Sequence, residues 1–254
     1  MKFLASDYDG TLRRSVNVAE KTVQRVRQFQ KNGHRFAIVT GRTRDNIYQE
    51  SLDNGVQADY YICSNGGMIT DRDGQVVMAQ YIDIEVARAI AETLKTCGFE
   101  GYIASSGLLT SLYENPELVK KSKHADFTCV KIPEEELFAG GKVISFAAWI
   151  SDWDRLLELE KTVKSLYGEQ VDMFCNCGTL DIVAKGVSKK TGAEHAAALA
   201  GADELYVIGD DYNDLPMIEG LNGFGMNTGV EAVKKAASRL FDSVDDCLDY
   251  IESK

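Results

Sequence analysis

A short apolar run, Phe3-Leu4-Ala5, stops at Asp7-Tyr8-Asp9-Gly10-Thr11-Leu12, and the same figure returns three more times along the chain. Arg35–Val39 leads into Thr40-Gly41-Arg42, and Tyr60–Cys63 into Ser64-Asn65-Gly66-Gly67. Residues 205–208 lead into Gly209-Asp210-Asp211-Tyr212-Asn213-Asp214. Between the first three runs the spacing turns helical. Val23, Val26 and Phe29 form one apolar stripe, with Asn17 of Asn17-Val18-Ala19-Glu20 as the expected cap and Gly33 as the expected stop. A second helix is predicted over 45–54. Strand, helix, strand, helix, strand in this order predicts a parallel sheet covered by helices on both faces. In such sheets ligands bind outside the C-terminal ends of the strands, and all four polar clusters fall there.

Near residue 68 the rhythm changes. Residues 68–70, a turn at Asp73-Gly74 and 76–81 read as a hairpin. Over 82–178, helices alternate with paired strands: 85–96, 102–104 with 109–113, 117–123, 143–150, 153–166 and 171–175. This predicts an α+β insert built on an antiparallel sheet. From 179 the β–α alternation resumes, with 180–184, a helix from Ser188, the strand 205–208 and a helix after Asp214. Residues 223–226, a helix over 230–237, a short strand at Leu240-Phe241 and a helix after Asp245 complete the chain. The expected fold class is therefore α/β: a Rossmann-like parallel-sheet core formed by 1–81 and 179–254, interrupted by an α+β domain at 82–178.

Composition narrows the partners. The 254 residues carry a formal net charge of -11, and the basic residues are scattered, which argues against nucleic acid and anionic membrane surfaces. No stretch approaches the ~20 apolar residues of a membrane helix. Met1-Lys2 runs straight into a strand-like segment, so no signal peptide is expected. The six cysteines (Cys63, Cys97, Cys129, Cys175, Cys177 and Cys247) form no CxxC pair. Cys175 and Cys177 read as strand residues two apart in a reduced protein. A cytoplasmic protein with no obligate protein partner is expected. A small anionic metabolite stays admissible, because a metal ion and a few placed cations reverse a local field.

Residues two apart in a strand point the same way, so Asp7 and Asp9 can face one ligand. If the strand before Gly209 lies beside the first strand, Asp7, Asp9, Asp210, Asp211 and Asp214 crowd one site, and their repulsion calls for a cation. All-oxygen donors without His or Cys point to Mg²⁺. Phosphoryl transfer needs a nucleophile, a proton donor and neutralised phosphate oxygens. Asp7 can attack phosphorus, and Asp9 can protonate the leaving group and then activate water. The Thr40 hydroxyl and neighbouring backbone N–H groups can hold phosphate oxygens. Lys185, Lys189 and Lys190 are the available cations.

Taken together, these segments resemble the motifs of the haloacid dehalogenase superfamily of phosphatases: DxDGTL at Asp7 to Leu12, TGR at Thr40 to Arg42, a lysine within 185–190, and GDxxND at Gly209 to Asp214. The SNGG stretch at Ser64 to Gly67, and the insert between the second and third motifs, are similar to the Cof-type (IIB) branch, sugar phosphatases above all. The resemblance covers essentially the whole chain, with the insert as a cap domain. It implies Asp7 as nucleophile, Asp9 as general acid/base, Thr40 as a phosphate contact, and Lys189 paired with both phosphate and nucleophile. Lys189 fits a GVSKG-like turn, but Lys190 stands where Gly is usual, which keeps Lys185 and Lys190 in play. Mg²⁺ would take the carboxylates of Asp7 and Asp210 and the backbone carbonyl of Asp9. Asn213 and Asp214 would lie at its edge, with Asp214 among the metal ligands. Gly10, Gly41, Arg42, Asn65 and Asn213 would meet the substrate, Arg42 and Asn65 near its leaving group. Tyr113, Glu114 and Asp181 are the cap residues considered for substrate contact.

The implied activity is Mg²⁺-dependent hydrolysis of small phosphomonoesters through an aspartyl-phosphate. The alternatives are a phosphosugar mutase and a non-catalytic binder of metal or phospho-ligand. Plainer readings compete at single positions. Asp210, Asp211 and Asp214 could open a helix, Arg42 could pair with Asp45 or Asn46, and Asn65-Gly66 could be only a turn. His34, His124 and His195 share no motif and read as structural. Trp149 and Trp153 read as core of the insert, and Glu134-Glu135-Glu136 as a solvated helix face.

Overall fold

Alternation along β1 (Lys2–Asp7) sets the layering. A computed structural model describes residues 1–119, 130–176, 178–221 and 223–254. In it Phe3 and Ala5 pack on one side of the sheet and Leu4 on the other, as the two-residue period of a strand requires. The chain continues through α1 (Glu20–Lys31), β2 (Arg35–Val39), α2 (Arg44–Asp53), β3 (Tyr60–Cys63), β4 (Met68–Asp71) and β5 (Val76–Ala79). It then forms α3 (Ile84–Thr96), β6 (Gly101–Ser105), β7 (Thr110–Glu114), α4 (Glu134–Ala139), β8 (Ser145–Trp149), α5 (Trp153–Tyr167), β9 (Val171–Asn176) and β10 (Thr179–Ala184). It closes with α6 (Lys189–Ala200), β11 (Glu204–Gly209), α7 (Leu215–Gly220), β12 (Phe224–Met226), α8 (Glu231–Ala236), β13 (Arg239–Phe241) and α9 (Val244–Ser253).

Among the described residues these strands make two sheets. The first runs β13-β12-β11-β1-β2-β3-β4-β5, parallel as far as β3 and antiparallel at β4 and β5. On one face Val23, Val26 and Phe29 of α1 and Leu248 and Ile251 of α9 pack with Leu4, Phe36 and Ile38. On the other, Ala193, Ala196 and Ala197 of α6 and Met217 and Ile218 of α7 pack with Phe3, Ala5, Ala37 and Val39. Full burial of each large apolar side chain contributes about 1.5–3 kcal/mol. The second sheet, β7-β6-β8-β10-β9, is antiparallel throughout and carries its own core around Phe99, Tyr102, Phe146 and Leu156.

The α/β core and the antiparallel insert match the expected class, but several local expectations change. Residues 179–184, assigned above to the core, form β10 and pair with β8 and β9 in the second sheet. An apolar run entering a helix reads alike in either setting, and only pairing decides. Asn17 does not cap α1. The cap position is Ala19, without a side-chain bond, because the helix starts three residues beyond Asn17. Trp149 is buried as core, whereas Trp153, opening α5, is 42% exposed. Glu135 and Glu136 are solvated, but Glu134 folds back onto Lys95 and the Tyr102 hydroxyl. His34 accepts a bond from the Lys2 N–H through Nδ1, and His195 is exposed. Most of the helix expected at 117–123, and His124, Cys129 and Cys177, lie outside the described residues. Among the described residues no helix is long and apolar enough to cross a membrane.

The start of α6 is pressed against the turn that follows β3. Gly66 has φ +104, and a Cβ there would overlap the Ser188 carbonyl oxygen. Gly192, one turn into α6, faces the same turn without a side chain. The Gly66→Ala variant is expected to lose about 2 kcal/mol of stability or more, read from the urea midpoint. An unchanged midpoint would contradict this close approach.

Candidate active site

Parallel pairing of β1 with β11 sets Ser6 beside Ile208, so the loops leaving the two strands start side by side. Asp7, Asp210 and Asp214 each place a carboxylate oxygen within 4.8 Å of the others. The Thr11 hydroxyl donates to Asp210 Oδ1 at 2.5 Å. Gly10, at φ +90, leaves no room for a Cβ beside the Asp210 carboxylate. Asp214 Oδ2 accepts the backbone N–H groups of Asp210 and Asp211 at 2.8 and 3.0 Å, which folds that loop back on itself. Asp211 fits the plainer reading, since its side chain accepts the Tyr212 N–H and caps the turn into α7.

Lys189 sits at the first position of α6, which Ser188 and Thr191 close with reciprocal bonds. Its side chain is 2% exposed. Nζ donates to Asp7 Oδ1 and Asp214 Oδ1, both at 2.7 Å, and to Asn213 Oδ1 at 3.3 Å. The other candidate lysines point elsewhere. Lys185 bonds the Gly168 carbonyl and Asp172, and Lys190 lies 3.8 Å from Glu194. The family resemblance favours Lys189 but leaves Lys185 and Lys190 in play. Helix geometry decides, because only the first residue of α6 faces the strand ends.

Charge is badly balanced here. Burial pushes the Asp7 carboxyl well above the usual carboxylate range, Lys189 pulls it down, and Asp214 and Asp210 push it up again. Burial likewise raises Asp210 to about 6, against the Thr11 hydrogen bond. Burial works to lower Lys189, yet Asp214 and Asp7 outweigh it and the ammonium is held protonated. Asp7 Oδ2 is buried without a hydrogen-bond partner. An orphaned carboxylate oxygen beside a second carboxylate is what a hard cation would satisfy.

Asp9 faces the same cavity, but its carboxylate is turned to the rim. Arg42 Nε and Nη2 grip it at 2.6 and 2.7 Å, and Arg13 Nη2 reaches it at 2.5 Å. Arg42 also donates to Asn46 at 3.1 Å and Glu50 at 2.6 Å, so of the two structural partners weighed for it, Asn46 is the one it meets. The Glu50 contact left no sequence signal. The Thr40-Gly41-Arg42 loop is tied to the loop after β3 by backbone bonds from Asn65 to the Thr40 carbonyl and from Ser64 to the Arg42 carbonyl. Both Ser64 and Asn65 take positive φ, so Asn65-Gly66 is a turn and also places a side chain. Asn65 accepts from Asn213 at 3.3 Å and donates to Asp181 at 2.8 Å.

These groups line a cavity of about 370 Å³, floored by Asp7, Asp9, Thr40, Gly41, Arg42, Asn65, Lys189, Asp211 and Asn213. The second sheet roofs it with Ile103, Ser105, Ser145, Phe146, Ala147 and Asp181. Of the three cap residues considered for substrate contact, only Asp181 is in the wall. Tyr113 stacks on Tyr102 within the insert, and Glu114 pairs with Gly101 on β6.

The family model of the haloacid dehalogenase-like hydrolases matches residues 4–248. A 5-amino-6-(5-phospho-D-ribitylamino)uracil phosphatase of Bacillus subtilis, YwtE, is 24% identical, with 97% of this chain and 94% of that protein covered. Two solved structures share the fold across nearly all of both chains. One is described as the HAD subclass IIB sugar phosphatase BT4131, with TM-score 0.82, 23% identity, and 99% of each chain covered. The other is a haloacid dehalogenase-like hydrolase from B. subtilis, with TM-score 0.83, 19% identity, and 99% of this chain and 100% of that one covered.

Removing the Lys189 ammonium strands two buried carboxylates. Lys189→Met is expected to lose about 3 kcal/mol of stability. Lys185→Met, at a half-exposed surface pair, should change it by no more than about 0.5 kcal/mol. Urea denaturation of the two variants checks this, and equal effects would contradict it.

Proposed function

The chain belongs to the haloacid dehalogenase-like hydrolase family, and from that premise we propose that it is a Mg²⁺-dependent phosphatase of small phosphomonoesters, sugar phosphates foremost. The observation that carries this reading is Asp7: buried at a strand end, held through Oδ1 by Lys189, and left with Oδ2 unpartnered beside Asp210. The phosphatase named among its relatives and the sugar phosphatase among its structural neighbours support the same class.

In this reading Asp7 attacks phosphorus and becomes an aspartyl-phosphate while the substrate oxygen departs with a proton from Asp9. Asp9 then takes a proton from the water that releases phosphate from Asp7. To do either, Asp9 must exchange its contacts with Arg42 and Arg13. Lys189 screens the charge on the phosphoryl oxygens and keeps Asp7 oriented. The Thr40 hydroxyl and the Gly41 backbone hold the phosphoryl oxygens, with the Gly10 turn beside them, while Arg42, Asn65 and Asn213 border the substrate. Asp7, Asp210 and the Asp9 carbonyl would hold Mg²⁺, whose chemistry is to neutralise charge on the transferring group. Asp214, engaged by Lys189 and two N–H groups, braces that site from behind. The roof provided by the second sheet excludes bulk water from the phosphoryl group during transfer.

A phosphate-release screen over sugar phosphates, nucleotides and pyridoxal phosphate tests the reading. Turnover should require Mg²⁺ and vanish with EDTA. Asp7→Asn should lower it by roughly a thousand-fold or more, and intact-mass measurement should find phosphate on the wild-type chain alone. Hydrolysis that persists in EDTA or in Asp7→Asn would reject it.

The titration of Asp210 gives a second test. Its folded value of about 6 lies above the ordinary 3.8, so between these values the folded chain binds more protons than the unfolded one. Stability of the metal-free protein then falls as pH rises through that window, and Mg²⁺ binds only the ionised form. The rise in Tm on adding Mg²⁺ should be larger at about pH 7.5 than at about pH 5. Equal rises at both pH values would count against Asp210 as a ligand.

A further inference from the structure

The roof of the cavity is built from cross-strand rows. Ile103, Ala147 and Asp181 stand side by side on β6, β8 and β10, and Ser105 and Ser145 form the next row. Among the described residues lining the cavity from the second sheet, Asp181 alone is charged. It is 8% exposed, an unusual place for a carboxylate, since burial of a charge costs free energy unless partners repay it. Its Oδ2 accepts from Asn65 Nδ2 at 2.8 Å, and the Thr179 hydroxyl also bonds it. A carboxylate offers about four acceptor positions, so these two donors leave capacity for a ligand. Gly41 lies directly beneath: a Cβ there would come within 3.1 Å of Asp181 Oδ2. The carboxylate therefore hangs over the loop assigned to the phosphate, beside the Asn65 side chain.

The charges around it point the same way. Asp7, Asp9, Asp181 and Asp211 line the cavity against Arg42 and Lys189. Arg42 is already gripped by Asp9 and Glu50, and Lys189 by Asp7 and Asp214. When Asp9 leaves Arg42 for the substrate, Glu50 and Asn46 still hold that guanidinium, and Lys189 stays between Asp7 and Asp214. A leaving group with a second phosphate or a carboxylate would then meet Asp181 with both cations already paired. A hydroxyl would find an acceptor.

Resting on the phosphatase reading above, we propose that Asp181 is the specificity-determining residue of this site. It accepts a hydrogen bond from a hydroxyl of an uncharged polyol or sugar leaving group and turns away leaving groups that carry a second anion. Specificity here comes from one attractive and one repulsive contact made by the same side chain.

The test measures kcat/KM for glucose 6-phosphate, glucose 1,6-bisphosphate and p-nitrophenyl phosphate with the full-length protein and Mg²⁺. Wild type should favour the monophosphate over the bisphosphate by about ten-fold or more. In Asp181→Asn, close in shape but uncharged, that preference should shrink about ten-fold. In Asp181→Ala the advantage of glucose 6-phosphate over p-nitrophenyl phosphate should fall by a similar factor. Wild type alone keeps the proposal falsifiable if both variants unfold, since a bisphosphate cleaved as well as the monophosphate overturns it. Folded variants with unchanged ratios, or a wild type that cleaves only p-nitrophenyl phosphate, also overturn it and leave the phosphatase reading standing. Failure to cleave any of the three overturns this proposal, while the phosphatase reading is decided separately by the wider substrate screen.

Discussion

Lys189, buried between Asp7 and Asp214, holds together an arrangement that would otherwise repel itself. Three carboxylates converge where β1 and β11 end, in a place too dry to screen them. One ammonium and two backbone N–H groups offset part of that repulsion, while burial first, and the neighbouring carboxylates after it, push the Asp7 and Asp210 carboxyls up. A site left short of positive charge in this way is poised to bind a cation. In the proposed mechanism Lys189, and the cation when bound, would favour the ionised Asp7 carboxylate, which is the attacking form.

Everything around that contact positions it. The parallel register of β1 and β11 sets the two acidic loops side by side, and Asp214 clamps the second by accepting its N–H groups. The small-residue face of α6 brings Lys189 down onto the strand ends, with glycine at the points of closest approach. A hydrogen-bonded line then runs from Lys189 through Asn213 and Asn65 to Asp181 on the second sheet. The roof is thus joined to the floor by side chains that also border the cavity.

Asp9 shows how much side-chain direction matters beyond strand position. Spacing puts it on the same side as Asp7, and it does face the cavity. Its carboxylate nevertheless goes to two guanidiniums at the rim. Arg42 was legible as a cavity residue, but Glu50, which holds its far side, was not. That pair joins a loop to the last turn of a helix through tertiary contact alone.

Local chemistry was written in the chain from the start. Apolar runs that stop at Asp, Thr, Ser and Gly define strand ends, and strand–helix alternation forces a parallel sheet, so the four clusters share one edge because backbone geometry leaves no other arrangement. What pairing and packing alone decided is which of three neighbouring lysines is buried, that residues 179–184 join the roof and not the core, and that Asp181 reaches the cavity where Tyr113 and Glu114 do not. Those outcomes depend on contacts between residues far apart in the chain, and periodicity carries information only about a residue's near neighbours.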